Sequence, residues 1–207
     1  MKRYSAGARF YDVLSGERFV YRAGRIAGIR MLNLRPGDTV FDLGCGTGLN
    51  FPWLTEAVGA DGLVIGLDRS ADMLAMATRR IETQGYPNVR LIEADATDFE
   101  PDEIIRLAGG PLDAVFASYA LSVVDDWHPA WERMSATLRP GGSAAIVDMS
   151  LPTGPAAVFR PVARLVCAIG GADLAAHPWR VLERSGTNVR HRIFTGGHIH
   201  AVAALLP

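Results

Sequence analysis

The sequence predicts an α/β protein: a mostly parallel, seven-stranded sheet with helices on both faces, closed by a C-terminal antiparallel hairpin. Three observations predict it. Short apolar runs of strand character alternate with stretches of helical periodicity from residue 38 onward. These runs are rich in Val, Ile, Leu and Phe without clean in-out alternation, as expected where helices cover both faces of a sheet. The first run also leads directly into three glycines at alternate positions, which is how a strand turns tightly into a helix.

Taken in order, residues 1–35 read as a helical opening. Five runs then supply parallel strands: Asp38–Leu43, Gly62–Leu67, Val89–Ala94, Leu112–Ser118 and Ser143–Met149. Between them, Ser70–Gln84 starts on a capping serine, carries Met73, Leu74 and Ala77 on one stripe, and stops at Gly85-Tyr86-Pro87. Asp126–Leu138 reads as a second such helix, ended by Arg139-Pro140-Gly141-Gly142. Trp127 and Trp131, four apart on it, suit helix packing or the walls of a substrate pocket. Finally, Thr187–Phe194 and His198–Leu206 are β-favouring runs around Thr195-Gly196-Gly197, hence the hairpin. With no repeat, linker or low-complexity tract, residues 1–207 read as one domain, comprising an opening segment 1–35, a core 36–150 and a closing segment 151–207.

Composition narrows the partners. A formal net charge of -1 gives no global field to attract nucleic acid, and neither an Asn-Pro-Pro-aromatic run nor a Lys/Arg-dense stripe is present, so no nucleic-acid partner is expected. The two cysteines, Cys45 and Cys167, form neither a disulfide framework nor a metal spacing. His198 and His200 lack a third ligand at a convincing spacing, so no metal is expected either. No stretch approaches the ~18 consecutive apolar residues of a membrane span, and no apolar run follows the basic first residues. The expectation is a soluble, cytoplasmic protein.

The chemistry concentrates in Val40-Phe41-Asp42-Leu43-Gly44-Cys45-Gly46-Thr47-Gly48. Glycine permits positive φ and lets a ligand touch the backbone, while the following helix start offers unpaired N–H groups. A dinucleotide fingerprint would need glycine at position 49, where this chain has Leu49. With Asp42 inside the strand, the Gly-x-Gly-x-Gly loop resembles motif I of the class I S-adenosylmethionine-dependent methyltransferases. That resemblance implies a Rossmann-like class I methyltransferase fold, with S-adenosylmethionine as cofactor and S-adenosylhomocysteine as its product. It implies cofactor contacts from Asp42, Gly44, Cys45, Gly46 and Gly48. Asp68, about 20 residues beyond the loop, would accept hydrogen bonds from the ribose hydroxyls, with Arg69 beside it. Met73 would pack on adenine, and Asp95, next to Ala96, would take the adenine amine. Asp113–Leu121 resembles motif IV, so Ser118 would sit near the transferring methyl group. Leu138-Arg139-Pro140-Gly141-Gly142 matches the turn before the family's fifth strand.

Methyl transfer from a sulfonium is an in-line displacement that needs orientation more than a catalytic triad. Cys45 reads as a tolerated small residue. Where an acceptor must lose a proton, Tyr119 and His128 are the candidate bases, with Asp125 and Asp126 nearby. The resemblance also implies an acceptor-selecting lid within residues 1–35. Its aromatic residues Tyr4, Phe10, Tyr11 and Tyr21 could face the cofactor or pin the helix to the sheet. Tyr11 is the cofactor contact expected there, and Arg25 would meet the methionine carboxylate. Residues 151–192 hold six arginines against Asp173 and Glu183, which suits either a solvated face or peripheral contact with anionic lipid.

This basic segment, with the apolar run Val158–Ile169, the short chain and the Tyr11-Asp12 opening, is loosely similar to bacterial phospholipid (phosphatidylethanolamine) N-methyltransferases and quinone methyltransferases. The acceptor implied is a small molecule or a lipid-linked one, such as a phospholipid head-group amine. Three alternatives stand beside this: an O- or N-methyltransferase of specialised metabolism, a non-catalytic cofactor-binding module, and a nicotinamide-dependent oxidoreductase, against which Leu49 argues.

Overall fold

The structure, a computed structural model, describes residues 21–207. Its strands are β1 (Thr39–Leu43), β2 (Leu63–Asp68), β3 (Val89–Glu93), β4 (Leu112–Ser118), β5 (Leu138–Met149), β6 (Thr187–Phe194) and β7 (Ile199–Leu205). The helices are α1 (Arg22–Leu32), α2 (Phe51–Val58), α3 (Ala71–Gln84), α4 (Pro101–Ala108), α5 (His128–Ala136), α6 (Arg160–Gly170) and α7 (Arg180–Ser185). One sheet runs in the order β3-β2-β1-β4-β5-β7-β6. The first five strands pair in parallel, and β7 pairs antiparallel with both β5 and β6. This is the sheet the sequence predicts, with the hairpin folded so that its second strand lies inside and its first at the edge.

Consecutive residues of the inner strands point into opposite layers. Val40 and Val64 join α1, α2 and α3 on one side through Ile29, Leu54 and Ala77. Phe41, Leu43 and Ile65 join α4, α5 and α7 on the other through Ile104, Met134 and Leu182. With helices covering both faces, both sets are mostly apolar, which is why the strands read as largely apolar runs without alternation.

Glycine decides how α1 meets the sheet. A Cβ on Gly28 would lie 2.4 Å from Val147 Cγ2, and one on Gly24 would lie 2.6 Å from both Ile199 Cγ2 and the Tyr119 hydroxyl oxygen. One turn apart, the two glycines flatten a side of α1 and let its backbone rest directly on the sheet.

Two elements begin more than one residue from where they are expected. The fifth strand begins at Leu138 and not at Ser143, because the Pro140-Gly141 turn is absorbed as an irregularity at the sheet's rim. There Gly141 adopts φ +73° and donates its N–H to Leu206 O at 2.8 Å. The helix expected from Asp126 begins at His128, whose N–H is received by the Asp126 carboxylate at 3.2 Å, with Pro129 in the first turn. No helix among the described residues is long and apolar enough to cross a membrane.

Candidate functional site

Strand order reverses between β1 and β4, so the chain leaves their carboxyl ends in opposite directions and a crevice opens there. Open α/β sheets bind ligands at such a point. The cleft has a volume of about 1060 Å³ including its mouth. Of the residues anticipated as cofactor contacts, Arg25, Gly44, Cys45, Gly46, Asp68, Arg69, Met73, Asp95, Ala96 and Ser118 line it. Tyr11, and with it Tyr4, Phe10 and Asp12, lies outside the described residues.

The three glycines of the loop share left-handed backbone, with φ of +70°, +55° and +78° at Gly44, Gly46 and Gly48, but for different purposes. A Cβ at Gly44 would meet Ala120 Cβ at 2.5 Å, and one at Gly48 would strike the Phe51 ring at 2.5 Å. At Gly46 nothing lies within 4 Å, so that backbone is bare. Gly48 does not line the cleft; it makes room for Phe51 below. The loop is braced from outside as well, since the N–H groups of Gly44 and Cys45 donate to Leu67 O and Arg80 Nε donates to Thr47 O at 2.9 Å.

Asp68 sits at the end of β2. Its Oδ2 accepts the Gly46 N–H and its Oδ1 the Ser70 N–H, both at 2.9 Å, so one carboxylate ties the loop to the start of α3. Burial raises its pKa, opposed by these two donors and by Arg69. Each carboxylate oxygen still has acceptor capacity towards the cleft. Met73 is buried beside it, its N–H directed at the Ser70 hydroxyl. Asp95 lies at the open end of the cleft, accepting from Thr97 N–H and Oγ1, and Arg69 stands 4.0 Å away. The Thr97 side chain and N–H hold its pKa below the ordinary carboxylate value.

At the opposite end, the structure corrects one assignment. Asp42 is fully buried and does not line the cleft. Asn50 Nδ2 donates to both its oxygens, at 2.7 and 2.9 Å, while Asn50 Oδ1 accepts from Arg25 Nη1 at 2.6 Å. Arg25 also donates to Ser118 Oγ at 2.8 Å. The carboxylate thus acts one residue removed, by fixing the amide that fixes the arginine. Burial pushes the Asp42 pKa up to about 7 in spite of Asn50 and Arg25, which favour the charged form. Asn50 is the site residue that sequence reasoning missed. Its place just before Phe51-Pro52 reads as a helix cap, yet its side chain caps nothing and is spent on the bridge.

The candidate bases fare differently. Tyr119 lines the cleft at φ +54°, a left-handed conformation that side chains rarely adopt and that often accompanies functional sites. Its hydroxyl donates to Tyr21 O at 2.7 Å beneath α1, so it is not presented as a base. His128 is absent from the cleft. It stacks on Trp127 with ring centroids 4.0 Å apart, pairs with Asp126, and lines a second cavity with His177, Arg180 and Arg184. Trp127 is thus a cavity wall, while Trp131 is buried as packing. Cys45 is buried, and desolvation followed by Asp42 and Asp68 raises its pKa well above the ordinary thiol value, which suits a spacer and not a nucleophile.

A bare backbone at the switch point, a half-sunk acid after the second strand and a partly exposed acid after the third fit an extended ligand carrying an amino acid at one end and a nucleoside at the other. Fold and cleft together define a class of protein, the Rossmann-like α/β sheet with a ligand cleft at its topological switch point. A family model described as a methyltransferase domain matches residues 40–142. The demethylmenaquinone methyltransferase of Oceanobacillus iheyensis is 29% identical over 150 residues, covering 72% of this chain and 60% of that protein. That of Staphylococcus aureus is 28% identical over 211 residues, covering 91% and 83%. Among solved structures, Haemonchus contortus phosphoethanolamine N-methyltransferase 2, in complex with phosphomonomethylethanolamine and S-adenosylhomocysteine, superposes with a TM-score of 0.73 at 16% identity, over 98% of this chain and 57% of that one. A methyltransferase from Aquifex aeolicus gives 0.63 at 20% identity, covering 93% of each. The chain belongs to the class I S-adenosylmethionine-dependent methyltransferase superfamily. Its matches span 49 to 60% of the length of the first curated relatives.

Proposed function

We propose that the chain is an S-adenosylmethionine-dependent methyltransferase whose acceptor is an apolar small molecule of the quinone kind, free or lipid-linked. The observation that carries the reading is the open backbone at Gly46, with Asp68 bonded to that same residue and Arg25 across the cleft. When bound, the cofactor supplies an electrophilic methyl group on a sulfonium that leaves as a neutral thioether. The chain's own residues bind and orient. Arg25 would meet the methionine carboxylate, Asp68 would accept the ribose hydroxyls, and Met73 and Asp95 would take the adenine face and amine. No new anion develops on the leaving sulfur, so no oxyanion site is required, and orientation can supply roughly 7–11 kcal/mol by analogy with intramolecular reactions.

Beyond Ser118 the lining runs through Tyr119, Ala120, Leu121, Val123 and Val124 without a carboxylate. Such a wall excludes water and suits an apolar acceptor. A head-group amine, the other acceptor the resemblance implies, would find no acid in that stretch. Relatives named demethylmenaquinone and 2-phytyl-1,4-naphtoquinone methyltransferases favour the same choice.

Thermal unfolding with S-adenosylhomocysteine tests the cofactor: at 100 times its dissociation constant the ligand should stabilise the protein by ~2.7 kcal/mol. Asp68→Ala should remove most of that gain. Stabilisation by NADH with none by S-adenosylhomocysteine would reverse the reading. Transfer of labelled methyl to a demethylated quinone, and not to phosphatidylethanolamine, tests the acceptor.

A further inference from the structure

We propose that α6, with the turn before it, is a docking face for an anionic lipid bilayer. Val158, Phe159, Val162, Leu165, Val166 and Ile169 are each between 45 and 76% exposed. Their spacing of three and four places them on one stripe, which an ordinary surface helix turns inward. Here the inward side is short. Cys167 is the buried residue of α6, its Sγ 3.8 Å from Met149 Sδ, and Arg160 Nε anchors the helix start to Pro152 O at 2.8 Å. The helix is therefore held to the end of β5 by its narrow polar and small side, with its broad apolar side outward. A contiguous exposed apolar face of this kind marks an interaction surface.

Charge selects the occupant. No Asp or Glu occurs between Asp148 and Asp173, while Arg160 and Arg164 border the stripe. Residues 151–192 carry six arginines against two acids, a local +4 in a chain whose total is -1. A second copy docked face to face would bring these arginines towards one another, whereas anionic head groups would pair with them. The face is read from α6, the turn before it and the charge of the closing segment, and goes beyond the proposed function. It also shares the carboxyl-end rim of the sheet with the cleft, so an acceptor dissolved in lipid would arrive on the correct side.

Sedimentation with vesicles tests this without cofactor or acceptor. The protein should pellet with phosphatidylcholine vesicles containing phosphatidylglycerol, less with phosphatidylcholine alone, and less at high salt. The triple variant Val162→Asp/Leu165→Asp/Ile169→Asp should bind at least about ten-fold more weakly. Cooperative urea unfolding of that variant would establish that it still folds. Failure to bind anionic vesicles, equal binding to both vesicle types, or undiminished binding by the variant would overturn the proposal. So would a dimer in solution that the variant dissociates. Because S-adenosylhomocysteine plays no part, these outcomes are independent of the cofactor assignment.

Discussion

At the scale of single residues, the site depends on Asn50 more than on the acid it serves. An amide presents an acceptor to Arg25 and a donor to Asp42 at once, which neither a carboxylate nor a hydrocarbon can do. Asn50→Leu should leave both charged groups short of partners and destabilise the fold by about 2–3 kcal/mol in urea unfolding, the range for hydrogen bonds to buried charges. A change under half that would mean water replaces the amide. The bare loop was legible in the sequence because turn chemistry reveals backbone exposure, and Asp68 by its spacing from that loop; Met73 and Asp95 were expected only from the family resemblance, and all three residues line the cleft. Asn50 was not, since a polar residue before a helix looks like a cap whichever way its side chain turns. Asp42 was legible as important but misread as a contact, because sequence registers the acid and not the one residue between it and the cleft.

At the scale of elements, the decisive device is the smooth side of α1. Gly28→Val would force a side chain into Val147 and the Phe116 ring, and overpacking of this kind costs roughly 1–3 kcal/mol. Arg25, carried on the same turn of helix, should shift with it, so the gain in stability from S-adenosylhomocysteine should fall as well. Unchanged urea stability would show that α1 can lift off the sheet freely. The positions of strands and helices followed from apolar periodicity, whereas the order of the strands and the start of β5 did not. Pro140 and Gly141 announce a break in local terms, and the sheet overrides them by pairing Leu138 with Leu112. The outward face of α6 was legible only as composition. Periodicity finds a stripe but cannot say which way the helix turns it.

At the scale of the whole molecule, buried ionisable groups should make stability depend on pH in opposing ways. Burial pushes Asp42 to about 7 and Asp148 to about 6, the latter despite three donated hydrogen bonds from Ser122 and Met149. Both values exceed the ordinary 3.8, so the folded state keeps protons the unfolded chain has lost, and their contribution fades as pH rises through the folded values. His200, stacked on Trp179 and pushed down to about 4 by burial and by His191, works the other way, adding stability as pH climbs from 4 towards 6.5. Above 6.5 Asp42 dominates. The unfolding free energy should then fall by on the order of 1 kcal/mol between pH 6.5 and 8. A rise over that interval would mean Arg25 keeps Asp42 ionised throughout.

The parallel sheet also sorts the molecule by rim. The glycine loop, Asp68, Tyr119 and α6 all follow the carboxyl ends of strands, while the turns at Gly85, Gly109-Gly110 and Gly141 cluster at the other end with open space around them. Those turns offer attachment points: a tether, reporter or inserted peptide placed there would stand as far from ligand traffic as the fold allows.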